Sequence, residues 1–139
     1  MPALHTYRIF ISHAWRYNDD YYRLVNLLDN APNFTYANYS VPNHDPLDAN
    51  NATRLREALR RQIRPVEVVV IIAGMYVNHS DWIQFEMDYA AELGKPMIGV
   101  RPWGGERTPQ AVANAVDELV GWNTTSIVEA IRRYARQPR

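Results

Sequence analysis

One residue contradicts the pattern of its own segment. The stretch HSDWIQFEMDYAAELGKP (79–96) has a helical period in which Trp82, Phe85, Tyr89, Ala90 and Leu93 form an apolar stripe, with Gln84, Asp88 and Glu92 opposite as the wet face. Glu86 falls inside the apolar stripe. Burying even a lesser polar group without a partner costs about 1–3 kcal/mol, and a charge costs more. Glu86 therefore either has a buried partner or lines a pocket, which Trp82, one turn earlier, would help to wall with an aromatic ring. A lone carboxylate so placed can accept a hydrogen bond from a ribose hydroxyl and offset positive charge developing on the sugar. That is the electrostatic requirement of an oxocarbenium-like transition state.

Other chemistries have weaker footing. Ser12 and His13 are neighbours in the chain, not a nucleophile and a base oriented by a third group, and hydrogen-bonding roles at a strand end suit them better. The four histidines, His5, His13, His44 and His79, lack metal-ligand spacing. His44 with Asp45 and Asp48 is the one set that could hold a cation, but loop polarity explains it more cheaply, so no metal is expected. Asp19 and Asp20 could serve a phosphoaccepting receiver domain, yet strand three would have to end in an aspartate, where this chain has IIAGM. No glycine loop for phosphates and no dinucleotide fingerprint is present. The absence of cysteine removes thiolate metal sites, disulfides and cysteine nucleophiles.

The elements that must position these residues alternate. YRIFI (7–11) is a short buried strand, and NDDYYRLVNLLDN (18–30) a helix with Tyr22, Val25 and Leu28 at helical spacing. FTYANYS (34–40) is a weaker strand, followed by the long polar loop VPNHDPLDANN (41–51). Asn51 can cap ATRLREALRRQIR (52–64), whose Leu55, Leu59 and Ile63 stack on one face. Its arginines read as a solvated face. VEVVVIIAG (66–74) is a strand without a polar side. The helix bearing Glu86 comes next, with Ser80 and Asp81 as start signals, Gln84 completing a capping box, and Gly94 and Pro96 as the stop. PMIGV (96–100), a short helix in PQAVANAVDEL (109–119), an edge strand near LVGW (119–122), and a last helix in SIVEAIRRYARQ with a Ser126–Glu129 capping box complete the order.

Strands alternating with helices, with central strands apolar on both faces, predict an α/β three-layer flavodoxin-like fold: about five parallel strands in the order 2-1-3-4-5. Ligands in such sheets bind beyond the carboxyl ends of the strands at the switch point, here between strands one and three. With 139 residues, 47% hydrophobic, the chain is expected to be a single domain spanning 1–139. Fifteen basic residues balance fifteen acidic ones, so no nucleic-acid partner is expected. MPALHTYRIFI has no basic leader or long apolar run, so the expectation is a cytoplasmic protein with no membrane partner.

The chain resembles a known family. YRIFISH is similar to the opening strand of Toll/interleukin receptor-type (TIR) domains, and SDWIQFE has the spacing of their serine, tryptophan and glutamate motif, carried by Ser80, Trp82 and Glu86. VVVIIAGMYVNHSDWIQFEMDYAAELGKPMIGVRPWG and GWNTTSIVEAIRR resemble the TIR-like proteins of the Thoeris anti-phage defence system. The resemblance implies an enzyme that cleaves the nicotinamide–ribose bond of NAD⁺, a hydrolase or nucleosidase with NAD⁺ as substrate and no separate cofactor. A cyclic ADP-ribose-type product would act as a diffusible signal to an effector protein. It implies Glu86 as the catalytic residue, Trp82 shaping the nicotinamide end, and Ser12, His13 and Asp45 as substrate contacts. Self-association is implied too, since related TIR enzymes complete their sites with a neighbouring subunit. Two other readings share the layout: a TIR-like interaction module without catalysis, and an enzyme like the nucleoside deoxyribosyltransferases, which also use a ribosyl-attacking glutamate. Ile83 stands where animal TIR motifs have cysteine, and the 41–51 loop is not a close copy of theirs.

Overall fold

A computed structural model describes residues 5–12, 19–40, 52–104 and 107–135. Five parallel strands, β1 (Thr6–Ile11), β2 (Thr35–Asn38), β3 (Val68–Ile72), β4 (Met97–Val100) and β5 (Glu118–Val120), form one sheet in the order β2-β1-β3-β4-β5. Among the described residues, five α-helices cover it: α1 (Asp19–Asp29), α2 (Ala52–Ile63), α3 (Tyr76–Glu92), α4 (Gln110–Ala115) and α5 (Thr124–Ala135). α1 packs with α5, while α3 lies between α2 and α4. All five residues of β3 and all four of β4 are buried, as expected of strands covered on both faces. None of the described helices is long and apolar enough to cross a membrane.

Side chains continue the strand ladders where backbone pairing stops. At the amino edge, the Glu67 carboxylate accepts the Arg8 N–H at 3.0 Å and Asp117 accepts the Met97 N–H at 2.8 Å. At the carboxyl edge, Ser12 does the same for β3. Its hydroxyl oxygen accepts the Ile72 N–H at 2.9 Å while its own N–H donates to the Val70 carbonyl at 2.8 Å. Such bonds satisfy backbone groups that would otherwise be buried without a partner.

Several local expectations shift. α1 buries Tyr21, Leu24 and Leu28 and leaves Tyr22 54% exposed, so its inward stripe is one position off the set Tyr22, Val25 and Leu28. Both sets fit a helical period, and only the direction from which the sheet approaches distinguishes them. α5 is capped by Asn123, whose side-chain oxygen accepts the Ser126 N–H at 2.8 Å. Ser126 is thus the third helical residue and not the cap. β5 begins one residue earlier than LVGW. The proposed cap Asn51 lies outside the described residues.

The largest shift concerns α3. It starts at Tyr76, directly after a 3₁₀ turn at Ala73–Met75, and not at Ser80 and Asp81. No glycine or proline lies between Gly74 and Gly94, so a helix nucleated at the strand exit propagates through the Ser-Asp pair. Gln84, the expected capping-box partner, accepts from the Tyr76 hydroxyl at 3.0 Å and donates to Asp88 at 2.9 Å. The stop is as expected. Gly94 has φ 71°, its N–H donates to the Ala91 carbonyl, and the Lys95 N–H donates to that of Ala90, the paired bonds of a Schellman motif.

Candidate active site at the seam of α3

The apolar stripe expected on α3 divides into two in the folded protein. Ile83, Met87 and Ala90 face the sheet and are buried. Trp82, Phe85 and Tyr89 face α2, and Leu93 is 38% exposed. At 100° per residue these two sets lie on either side of Glu86. Glu86 therefore occupies the seam between core and interhelical contact, and at 0% exposure it is the one charged side chain buried to that degree among the described residues.

The α2-facing stripe meets arginines. The Arg56 guanidinium carbon lies 5.7 Å from the centre of the Trp82 ring and 5.9 Å from that of Phe85; Arg60 lies 5.4 Å from Phe85 and 5.7 Å from Tyr89. Arg64 donates to the Tyr89 hydroxyl at 3.4 Å. Residues four apart on one helix thus interleave with rings three and four apart on the other. The two helices run the same way because both follow parallel strands. The basic face is exposed at Arg56 and Arg64, as expected of a solvated face, and it also meets the α3 rings, each cation–π pair contributing about 0.5–1 kcal/mol at an exposed site.

Each residue singled out in the sequence has a distinct place. Glu86 is in the third turn of α3, deeper than a start at Ser80 and Asp81 would put it. Trp82 lies one turn nearer the carboxyl edge and is half-buried, edge-on to Phe85 at 6.3 Å. Ser12 is at the carboxyl end of β1 beside β3, fully buried, with its hydroxyl joined to the Ile72 N–H. The switch point thus holds Ser12, whose hydroxyl oxygen fastens β1 to β3. His13 and Asp45 lie outside the described residues, as do His44 and Asp48.

The carboxyl edge also carries a cluster that the sequence reading did not bring together. Arg23 of α1 pairs with Asp20 at 2.8 Å and sits 4.0 Å from the centre of the Trp103 ring, with Trp122 at 5.9 Å. Trp103 and Trp122 meet edge to face at 5.6 Å, and the Trp122 indole N–H donates to the Arg101 carbonyl at 2.6 Å. A Cβ added at Gly74 would come within 3.2 Å of the Asp20 carboxylate, so glycine there lets β3 end against α1. The signal in the sequence was a tryptophan shortly after each of the last two strands.

A parallel five-stranded sheet in the order 2-1-3-4-5, with helices on both faces and a glutamate sunk into the helix after β3, defines an α/β protein of the flavodoxin-like, TIR-like class. The chain belongs to the family described as Thoeris protein ThsB, TIR-like domain, which matches residues 10–107. No curated protein matches it. Among solved structures, it is similar to the crystal structure of a conserved protein from Enterococcus faecalis V583. That likeness has a TM-score of 0.63 and 9% sequence identity, and covers 93% of this chain and 99% of that one. At that identity the likeness bears on the fold alone.

Proposed function

We propose that this protein is a TIR-type NAD⁺ nucleosidase that breaks the nicotinamide–ribose bond, with Glu86 as its catalytic carboxylate. The observation that carries the reading is a fully buried glutamate between two apolar sets on α3, at the position of the motif glutamate in the TIR enzymes that this chain resembles. As the carbon–nitrogen bond lengthens, nicotinamide departs with the electron pair as a neutral base, and positive charge develops on the ribose. A carboxylate bonded to a ribose hydroxyl offsets that charge, more strongly where water is excluded than in bulk solvent. Water then takes the anomeric carbon and releases a proton to solvent to give ADP-ribose, or a nitrogen of the adenine ring takes it to give a cyclic ADP-ribose isomer. In a Thoeris setting, the cyclic product would be the signal read by a separate effector protein.

Glu86→Gln keeps the size of the side chain and removes its charge. Nicotinamide release should fall by about 10²–10³, the scale of one lost electrostatic stabiliser, while the melting temperature holds or rises, as at sites that trade stability for activity. If Glu86 were only half of a buried ion pair, the same change would cost roughly 3–5 kcal/mol of stability, and activity per folded molecule would stay normal. Measuring melting and nicotinamide release on one preparation decides between them. A parallel incubation with deoxynucleosides tests the transferase reading, and base release or exchange there, with none from NAD⁺, would replace the nucleosidase.

A further inference from the structure

The arginines of the α2–α3 contact are not equivalent. Arg60 has a carboxylate partner, Glu57, at 2.8 Å, and Arg64 donates to the Tyr89 hydroxyl. Arg56 is exposed and is held by the Trp82 and Phe85 rings, without a carboxylate or hydroxyl contact among the described residues. Ring contacts of this kind engage the guanidinium's charge while leaving its N–H fork available. That fork matches two oxygens of a phosphate. The rings also restrict the side chain in advance, which reduces the ordering cost of binding.

Position adds to chemistry. Trp82 precedes Glu86 by four residues, about 6 Å of helix axis, in the direction of the carboxyl edge where ligands of such sheets lie. Arg56 meets α3 at the Trp82 level. In NAD⁺ the pyrophosphate joins the nicotinamide ribose through its 5′ carbon, so the anion lies one sugar away from the bond that breaks. We propose that Arg56, pre-set by Trp82 and Phe85, binds the pyrophosphate of the dinucleotide and thereby directs the nicotinamide ribose toward Glu86. This rests on the nucleosidase reading. It also gives Trp82 a second task, holding the residue that holds the phosphate.

Arg56→Met keeps an unbranched stem against the rings and removes the fork. With NAD⁺ it should raise KM about 10- to 100-fold, the equivalent of one or two charge-assisted hydrogen bonds, with kcat nearly unchanged. With nicotinamide riboside, which has no phosphate, KM should not move. Arg56→Lys should recover part of the NAD⁺ affinity. A loosened helix pair would instead shift both substrates together and lower the melting temperature, and that result overturns the proposal, as does an unchanged KM for NAD⁺. Calorimetric titration with ADP-ribose reads the same contact without turnover. Wild type should bind at least 10-fold more tightly than Arg56→Met even if neither releases nicotinamide, which would sink the nucleosidase reading and leave this contact standing. Equal affinities, or no binding by wild type, would dispose of the phosphate contact.

Discussion

Tyr36 shows how a single side chain at the edge of the sheet couples stability to pH. Its phenol is half-buried and donates to the Asp29 carboxylate at 2.6 Å. Burial first, then the hydrogen bond to Asp29 and that residue's charge, push its pKa well above the ordinary tyrosine value. The folded protein keeps this proton at a pH where the unfolded chain, titrating near about 10, has lost it. The stabilisation is therefore complete below about pH 10 and declines as the pH rises toward the folded value. Urea denaturation from pH 9 to 11 should show wild type losing stability more steeply than Tyr36→Phe. Parallel curves would show that the coupling is absent. Glu86 poses the related question of what burial of an ionisable group is for, and there the combination of melting and turnover gives the answer.

The helix that carries Glu86 is set at both ends by backbone chemistry. Gly94 terminates α3 with a left-handed residue, and a Cβ there would meet nothing within 4 Å. The cost of Gly94→Ala is then one of backbone conformation, about 1–2 kcal/mol, and urea denaturation should register it without a change in m-value. A loss under about 0.3 kcal/mol would mean that the Schellman turn is not fixing the end. At the other end, the 3₁₀ turn after β3 starts the helix before any side-chain cap. The resulting 17-residue helix is long enough to present Trp82 near the carboxyl edge and Glu86 a turn below. Its pairing with α2 explains why aromatic and basic residues recur at the same period on two separate segments.

For the whole molecule, the sheet order brings the exits of β1 and β3 together, and Ser12 fastens them. The cluster of Arg23, Trp103 and Trp122 joins the exits of β4 and β5 to α1. The TIR enzymes that this chain resembles complete their sites with a neighbouring subunit. If this chain does likewise, nicotinamide release should rise faster than linearly with protein concentration. Assays over the concentration range in which light scattering finds only monomer should reveal the curvature; strict proportionality there would rule out a shared site.

The sequence by itself determined the layer architecture, because β3 and β4 have no polar side and can be stable only when covered on both faces; the order 2-1-3-4-5 was the preferred one among right-handed crossover topologies. It also singled out Glu86, whose charge stands out against its apolar neighbours whatever the tertiary packing. It could not tell which face of α1 turns inward, since Tyr21, Leu24 and Leu28 are spaced as helically as Tyr22, Val25 and Leu28. Nor could it divide the apolar stripe of α3, because periodicity gives an angle around a helix and not the identity of the neighbour met there. Only the tertiary structure put the sheet on one side of Glu86 and the arginines of α2 on the other. The same contacts decided that Ser12 fastens two strands and that Arg23 meets Trp103, because residues far apart in the chain become neighbours only when the strand exits converge.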